Sequence, residues 1–259
     1  MSTFNKVEAG RGWAWYGEGW HIFKANPGML LLSLILYFIL NLVLGFIPVI
    51  GSLASMLLSP ALVAGLFLVA QRIAHDEEIG FGTFLEPLTG EADTRNRLLM
   101  LGVFSLGFTI VIAIVFAIFF GAALSTSMEL TPGAEPDPQH LMAALMSAGG
   151  LSMMLVLLVL AALYMMAMIY ATPRVLFDGV APWEAIKESF AACWGNIGAL
   201  LIFGLAYIVL AIIAMIPLGL GLLILVPVMF AAAYSSYVDI FGEPGEALPE
   251  QPNPPSVVM

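Results

Sequence analysis

The chain contains six long apolar segments, and every lysine and arginine lies in the connections on one side of them. Each segment has about 20 apolar residues, enough to cross the ~30 Å hydrocarbon layer as a helix. The segments cover residues 29–47, 50–71, 98–124, 150–171, 197–216 and 219–238. The basic residues are Lys6, Arg11, Lys24, Arg72, Arg95, Arg97, Arg174 and Lys187. Because short cytoplasmic loops retain basic residues during insertion, this distribution predicts three hairpins with both termini in the cytoplasm.

The composition supports a membrane domain and little else. Hydrophobic residues make up 61% of the chain and charged residues 10%, whereas soluble domains average roughly 45–50% and about 25%. The sequence therefore predicts an all-α polytopic bundle. Residues 1–28 would form a cytoplasmic N-terminus, residues 29–241 a six-span membrane domain, and residues 242–259 a disordered, acidic, proline-rich cytoplasmic tail.

The spans lack the chemistry that membrane enzymes and proton-coupled transporters use. No Asp, Glu or His falls inside the six apolar cores, although transporters driven by protons retain such groups despite the cost of charge in the bilayer. The three histidines are scattered, and no HExxH, CxxC, glycine-rich phosphate loop or nucleophile elbow occurs. The sequence therefore predicts no catalytic residue, no metal, no cofactor and no enzymatic activity.

Two amphipathic stretches on the basic side carry apolar residues at helical spacing. These residues are Trp13, Tyr16, Trp20 and Phe23 in the first stretch, and Trp183, Ile186 and Phe190 in the second. The spacing places each set on one helix face. Because indole rings favour the headgroup region, both stretches are predicted to be interfacial helices that anchor the bundle. A regulatory or partner-docking role is the alternative.

The later part of the chain repeats the spacing of the first part. At one constant offset, Trp13, Glu18, Asn26, Gly28 and Tyr37 align with Trp183, Glu188, Asn196, Gly198 and Tyr207. Both copies begin on the cytoplasmic side, which would make this a parallel repeat of an amphipathic helix, an asparagine and a transmembrane hairpin. Chance matching in an apolar composition is the alternative explanation.

Three residues inside the spans are candidates for a special role. Pro60 and Pro227 each remove a backbone hydrogen bond and should bend their helices. Such paired breaks can mark a binding cavity, and packed kinks are the simpler interpretation. Asn41 is the most polar side chain well inside a span, and a bond to a neighbouring helix is favoured over contact with a substrate.

Three segments carry a resemblance to known proteins: GRGWAWYGEGWHIFKANPG, HDEEIGFGTFLEPL and ATPRVLFDGVAPWEAIKESFAACWGN. They resemble a family of uncharacterised multi-pass inner-membrane proteins of Proteobacteria. The resemblance covers nearly everything except the predicted external loop at 125–140 and the tail. It implies a location in the bacterial cytoplasmic membrane and brings no activity or catalytic residue with it.

These observations predict a non-enzymatic membrane component, acting as a scaffold or accessory subunit. Its partners would be the lipid bilayer and either another membrane protein or a second copy of the chain. Nucleic-acid binding is excluded, because the chain has a net charge of −10 and no basic stripe. The alternative is a transporter or channel for a small or lipid-like solute, with a cavity near Pro60 and Pro227.

Overall fold

A computed structural model describes residues 4–130 and 147–242, in which every regular element is a helix. The helices are α1 (Arg11–Ala25), α2 (Pro27–Gly45), α3 (Ile50–Ala74), α4 (Glu86–Thr89), α5 (Ala92–Leu130), α6 (Ala148–Met168), α7 (Ala171–Asp178), α8 (Pro182–Gly195), α9 (Ile197–Met215) and α10 (Leu222–Phe241). A 3-10 turn at Thr83–Leu85 precedes α4. The predicted all-α membrane fold is confirmed at this level.

Six helical stretches among the described residues are long and apolar enough to cross a membrane. They are α2, α3, α5, the combined α6 and α7, α9 and α10. Helix α5 continues to Leu130, so residues 125–130 are helical and the prediction of a loop there is wrong. The physical reason is that the first proline of this segment is Pro132, and no earlier residue interrupts the helix. The rest of the predicted loop, and the predicted tail beyond Gly242, lie outside the described residues.

The two aligned asparagines begin their helices in different ways. The Asn26 side chain accepts a hydrogen bond from the Met29 N–H at 3.2 Å, which caps α2 ahead of Pro27. The Asn196 side chain instead accepts from the Val7 N–H at 2.8 Å and donates to the Asn5 carbonyl at 3.0 Å. Asn196 therefore holds the N-terminal segment against the start of α9.

The core lies toward the end of the bundle that carries the basic residues. Helix α10 is largely buried over its second half, and α3 is largely buried from Pro60 to Ile73. Toward the opposite end, apolar side chains are exposed along α2 and α9 and at both of their hairpin turns, among them Phe46, Val49, Ile216 and Leu218. Lipid would have to cover these side chains, because long apolar helices expose such surface only within a bilayer.

The short helices connect the three hairpins in a cyclic order. The 3-10 turn and α4 pack against α3, α8 packs against α6 and α7, and α1 packs against α10. Each short helix thus contacts the second spanning helix of another hairpin, and α1 closes the ring between the first part of the chain and the last. The inward faces of the two amphipathic stretches, predicted as interfacial helices that anchor the bundle, pack against the spanning helices.

Candidate functional site

The structure divides the predicted aromatic face of α1 into two parts. Trp13 and Trp20 are 59% and 43% exposed, whereas Tyr16 and Phe23 are buried. Each pair is seven residues apart, which corresponds to about two helical turns and the same direction from the axis. Buried Trp15, which the periodic pattern did not include, continues the inward face. Tyr16 and Phe23 therefore pack inside the protein, while the two tryptophans remain available to the surroundings.

Helix α8 shows the same division. Trp183 is 62% exposed and Phe190 is partly exposed, whereas Ile186 is buried against α5 and α7. Trp194, near the end of the same helix, is also exposed. The basic side therefore presents indole rings from two helices whose opposite faces are packed into the core.

The junction between α1 and α10 is fastened by one carboxylate. Arg11 Nε donates to Asp239 Oδ2 at 2.6 Å, and Trp15 Nε1 donates to the same oxygen at 2.7 Å. Arg11 also reaches Glu18 at 2.7 Å along its own helix. The hydrogen bond with Asp239 raises the pKa of Arg11, so the guanidinium keeps its charge. Trp15 is fully buried, so its indole N–H cannot reach water. Asp239 supplies the hydrogen-bond acceptor that this group requires.

Close backbone contact completes this junction. A Cβ atom on Gly12 would lie 2.1 Å from the Ala199 carbonyl oxygen, and one on Gly19 would lie 2.6 Å from the Ala232 nitrogen. The Tyr16 hydroxyl donates to the Phe203 carbonyl at 3.2 Å, and its ring stacks on the Phe203 ring at 4.8 Å. Burial raises the pKa of Tyr16. Helix α1 is thus wedged against both helices of the last hairpin.

A second junction joins α7, α8 and α10 around Arg174. This guanidinium pairs with Glu188 at 2.7 Å and with Asp178 at 2.6 Å. It also lies over the Phe241 ring, 4.9 Å from the centroid. The Tyr237 hydroxyl donates to Asp178. Arginine is suited to such a partly buried position because its planar group satisfies two carboxylates and an aromatic face at once.

A third junction joins α3 to α4. Arg72 contacts both carboxylate oxygens of Glu86, at 2.9 and 2.5 Å, and donates to the Thr83 hydroxyl at 3.1 Å. Two parallel bonds of this kind fix the orientation of the pair as well as its distance. About two turns before Arg72 on α3, a Cβ atom on Gly65 would lie 2.1 Å from the Phe84 carbonyl oxygen. Helix α3 and the 3-10 turn are therefore in backbone contact.

The single cysteine lies inside this layer. Cys193 is buried on α8, with its sulfur 3.5 Å from the Met166 carbonyl oxygen. Burial raises the pKa of the Cys193 thiol to about 12. Since the thiolate is the reactive form, the group behaves as a packing residue at neutral pH. The described residues contain no group of three His, Cys, Asp or Glu side chains arranged to hold a metal ion.

The two intramembrane prolines lie among apolar neighbours. Ala64, one turn after Pro60 on α3, packs in a cluster with Ala61 and with Leu98 of α5. Leu225 and Val228, which flank Pro227, belong to the larger cluster that includes α1. Both prolines are buried, and Leu62, two residues after Pro60, belongs to the same larger cluster as Leu225 and Val228.

Polar side chains inside the spans form a group that the sequence interpretation did not assemble. We call Tyr37, Asn41, Ser55, Ser59, Ser105 and Tyr164 the polar cluster. Ser55 donates to Asn41 Oδ1 at 2.5 Å, and the Tyr164 hydroxyl donates to Ser105 Oγ at 2.9 Å. The Asn41 side-chain amide also donates to the Tyr37 carbonyl at 2.9 Å along α2. Asn41 thus contacts a neighbouring helix, as its position suggested.

The chain is 26% identical over 280 residues to a protein of Burkholderia thailandensis named "Probable inner membrane protein", a similarity covering 96% of this chain and 97% of the relative. The chain is thus similar to a probable inner-membrane protein, and its described residues include six helices long and apolar enough to cross a membrane. The predicted resemblance to inner-membrane proteins of Proteobacteria is confirmed. No protein-family model and no solved structure matches the chain.

The three junctions of this membrane protein lie at one end of the bundle, which we call the fastened end. Toward the other end, the lipid-facing end, apolar side chains are exposed. Arginine–carboxylate pairs hold each of the three junctions at the fastened end. The carboxylates of these pairs accept hydrogen bonds from arginine, tyrosine or tryptophan side chains. These hydrogen bonds join the helices. The polar cluster lies away from these junctions, around the middle of α2 and the first half of α3.

Proposed function

We propose that this protein is a non-enzymatic component of the inner membrane that acts as a scaffold or accessory subunit for another membrane protein. The proposal rests on the exposed indole rings of α1 and α8. Arginine–carboxylate pairs hold both of these helices against their neighbours. Tryptophan is enriched among residues that dominate binding energy at protein interfaces. A rigid support lowers the entropy lost when such side chains are immobilised by a partner.

The proposal includes an orientation, in which the fastened end and both termini face the cytoplasm. Its support is the position of the basic residues, since Arg11, Arg72 and Arg174 all lie at the junctions of that end. Placed this way, Trp13 and Trp183 would lie at the cytoplasmic headgroup level. There they could contact a partner that is itself embedded in the membrane.

We also propose that the first and last hairpins are copies of one parallel unit. In both, a short helix and an asparagine precede two spanning helices. The connections between the spans also share a feature: Val49 follows Pro48 with φ 61°, and Leu218 follows Pro217 with φ 56°. Positive φ is uncommon for branched residues, so its occurrence after proline in both connections supports a common origin.

Substitution of the exposed tryptophans tests the scaffold proposal. Trp13→Ala, Trp20→Ala and Trp183→Ala would be combined in the full chain, and proteins that co-purify from cross-linked membranes would be quantified. We expect the partners to be lost while the thermal midpoint changes little. Phe46→Ala is the matched control, because Phe46 is an exposed aromatic residue at the opposite end. An unchanged set of partners in the triple variant would contradict the proposal.

A transporter or channel for a small or lipid-like solute is the second candidate. The polar cluster favours it, because polar groups in a bilayer are costly and often mark a solute site. Uptake by reconstituted protein, lost when Pro60→Ala is combined with Pro227→Ala, would support transport. Absence of flux above empty liposomes for a broad panel of solutes would count against it.

A further inference from the structure

We infer that the polar cluster is a binding site for an uncharged molecule that carries hydroxyl or ester oxygens. This inference goes beyond the scaffold proposal, since it concerns side chains inside the spans rather than the exposed indoles. The chemistry could belong to a free polyol or to the glycerol region of a neutral lipid. The two sources are separated by the experiment below.

The first argument is the register of the cluster. Tyr37 and Asn41 are one helical turn apart on α2, and Ser55 and Ser59 are one turn apart on α3. Ser55 donates to Asn41, and because the two helices are antiparallel, the same register places Ser59 opposite Tyr37. Each helix therefore directs two polar side chains toward the other at the same depth.

Helices α5 and α6 bring further polar groups to that depth. A Cβ atom on Gly102 would lie 2.0 Å from the Leu57 carbonyl oxygen, so α5 is in backbone contact with α3 beside Ser55 and Ser59. Ser105 follows Gly102 by one turn and accepts a hydrogen bond from Tyr164 of α6. Four helices from two hairpins thus converge on one polar region.

The second argument is the charge of the region. No Asp, Glu, Lys, Arg or His occurs between residues 25 and 71 or between 98 and 128. A charged ligand would lose its hydration without gaining a counter-ion, which is costly in a bilayer. Hydroxyl and amide groups both donate and accept, so they suit an uncharged ligand with oxygen atoms. The site therefore selects for neutral, hydrogen-bonding molecules.

The polar cluster also keeps accessible surface and hydrogen-bonding groups that a ligand could use. Pro60 has no N–H, so the Met56 carbonyl loses its helical donor in the same turn as Ser59. Tyr37, Asn41, Ser55, Ser59 and Tyr164 are all partly exposed. Asn41 donates to the Tyr37 carbonyl and Ser105 to the Leu101 carbonyl, so the accessible surface left for a ligand lies chiefly with Ser59 and the tyrosine hydroxyl groups.

The test compares the wild-type protein with a variant carrying Ser59→Ala and Ser105→Ala. In proteoliposomes, glycerol entry is followed by light scattering; in nanodiscs doped with dioleoylglycerol, retention of that lipid is followed by native mass spectrometry. Ser235→Ala is the control, because Ser235 is a buried serine of α10 that bonds only along its own helix, to the Ala231 carbonyl. Tyr164→Phe provides a milder variant if the double substitution prevents folding.

A glycerol permeability several-fold above empty liposomes, abolished in the double variant, would identify a free polyol as the ligand. Retention of dioleoylglycerol by the wild type and the control, lost in the double variant or in Tyr164→Phe, would identify a lipid. Replacement of both serines by threonine should restore either signal, since threonine keeps the hydroxyls. If folded variants match the wild type in both assays, the cluster only joins helices and the inference is overturned. The co-purification experiment is independent of these results.

Discussion

Arg11 and Asp239 lie 228 positions apart in the chain, yet their side chains meet at 2.6 Å and join α1 to α10. The same carboxylate oxygen also accepts the indole N–H of buried Trp15. This contact closes the cyclic order of the three hairpins. It therefore offers a direct way to test whether the fastened end behaves as one unit.

Two substitutions of Asp239 should separate charge from hydrogen bonding. Asp239→Asn keeps an acceptor for Trp15 and loses the ion pair with Arg11. Because this ion pair is partly exposed, we expect the free energy of unfolding to fall by up to about 1 kcal/mol. Asp239→Ala also leaves the buried indole N–H without an acceptor, and we expect a total loss of about 1–3 kcal/mol. Thermal unfolding in detergent would measure the order of stability. Equal stability of the two variants would show that Trp15 gains nothing from Asp239.

Glycine substitutions test the close approach of α1. Gly12→Ala places a Cβ atom against the backbone of α9, and we expect overpacking to lower stability by about 1–3 kcal/mol. Gly17→Ala is the matched control on the same helix, since nothing lies within 4 Å of its added Cβ atom. Alanine should stabilise α1 there by up to about 1 kcal/mol. Unfolding midpoints that shift in the same direction for both variants would contradict the docking of α1.

The spans could be predicted because a helix that crosses the lipid layer must be apolar and must have a minimum length. Predicted and observed spans agree closely for α3 and α9, where about 20 apolar residues leave no other state for the chain. The positions of α1 and α8 were harder to predict. Their aromatic periodicity does not specify the packing of their other faces, which depends on distant backbone: Gly12 and Gly19 of α1 contact α9 and α10, and Ser189 of α8 donates to the Met166 carbonyl.

The polar cluster was beyond sequence reasoning for a related reason. Serines at one-turn spacing, such as Ser55 and Ser59, also fit ordinary helix packing. Their partners lie on other helices, so their relation to Tyr37 and Asn41 depends on the hairpin register. The junction between Arg174 and Glu188 was likewise hidden, because each residue alone appears to be a charged group in a cytoplasmic loop.

Cys193 should be almost unreactive in the folded protein. With its pKa raised to about 12 by burial, roughly one thiol in ten thousand is ionised at pH 8. We expect labelling by a maleimide to be slow in the folded protein at neutral pH, because the thiol is buried and protonated, and to become rapid after denaturation. Mass spectrometry of time points would measure the rate. Fast labelling of the native protein at pH 7 would place Cys193 at an accessible surface.

Cysteines at the two ends should report opposite sides of the membrane. Leu218 is 96% exposed in the connection between α9 and α10, and Phe81 is 79% exposed between α3 and α4. The proposed orientation places Leu218 outside the cytoplasm and Phe81 within it. Leu218→Cys and Phe81→Cys can be made in the natural sequence, because Cys193 is expected to add little background.

A membrane-impermeant maleimide would be applied to spheroplasts carrying either variant. We expect Leu218→Cys to be labelled directly, and Phe81→Cys to be labelled only after the membrane is disrupted, since the basic residues keep their connections in the cytoplasm. Blocking the external thiols first should abolish the later signal for Leu218→Cys alone. The reverse pattern would invert the topology and would place the exposed indoles of α1 and α8 at the outer headgroup level, which would contradict the proposed orientation.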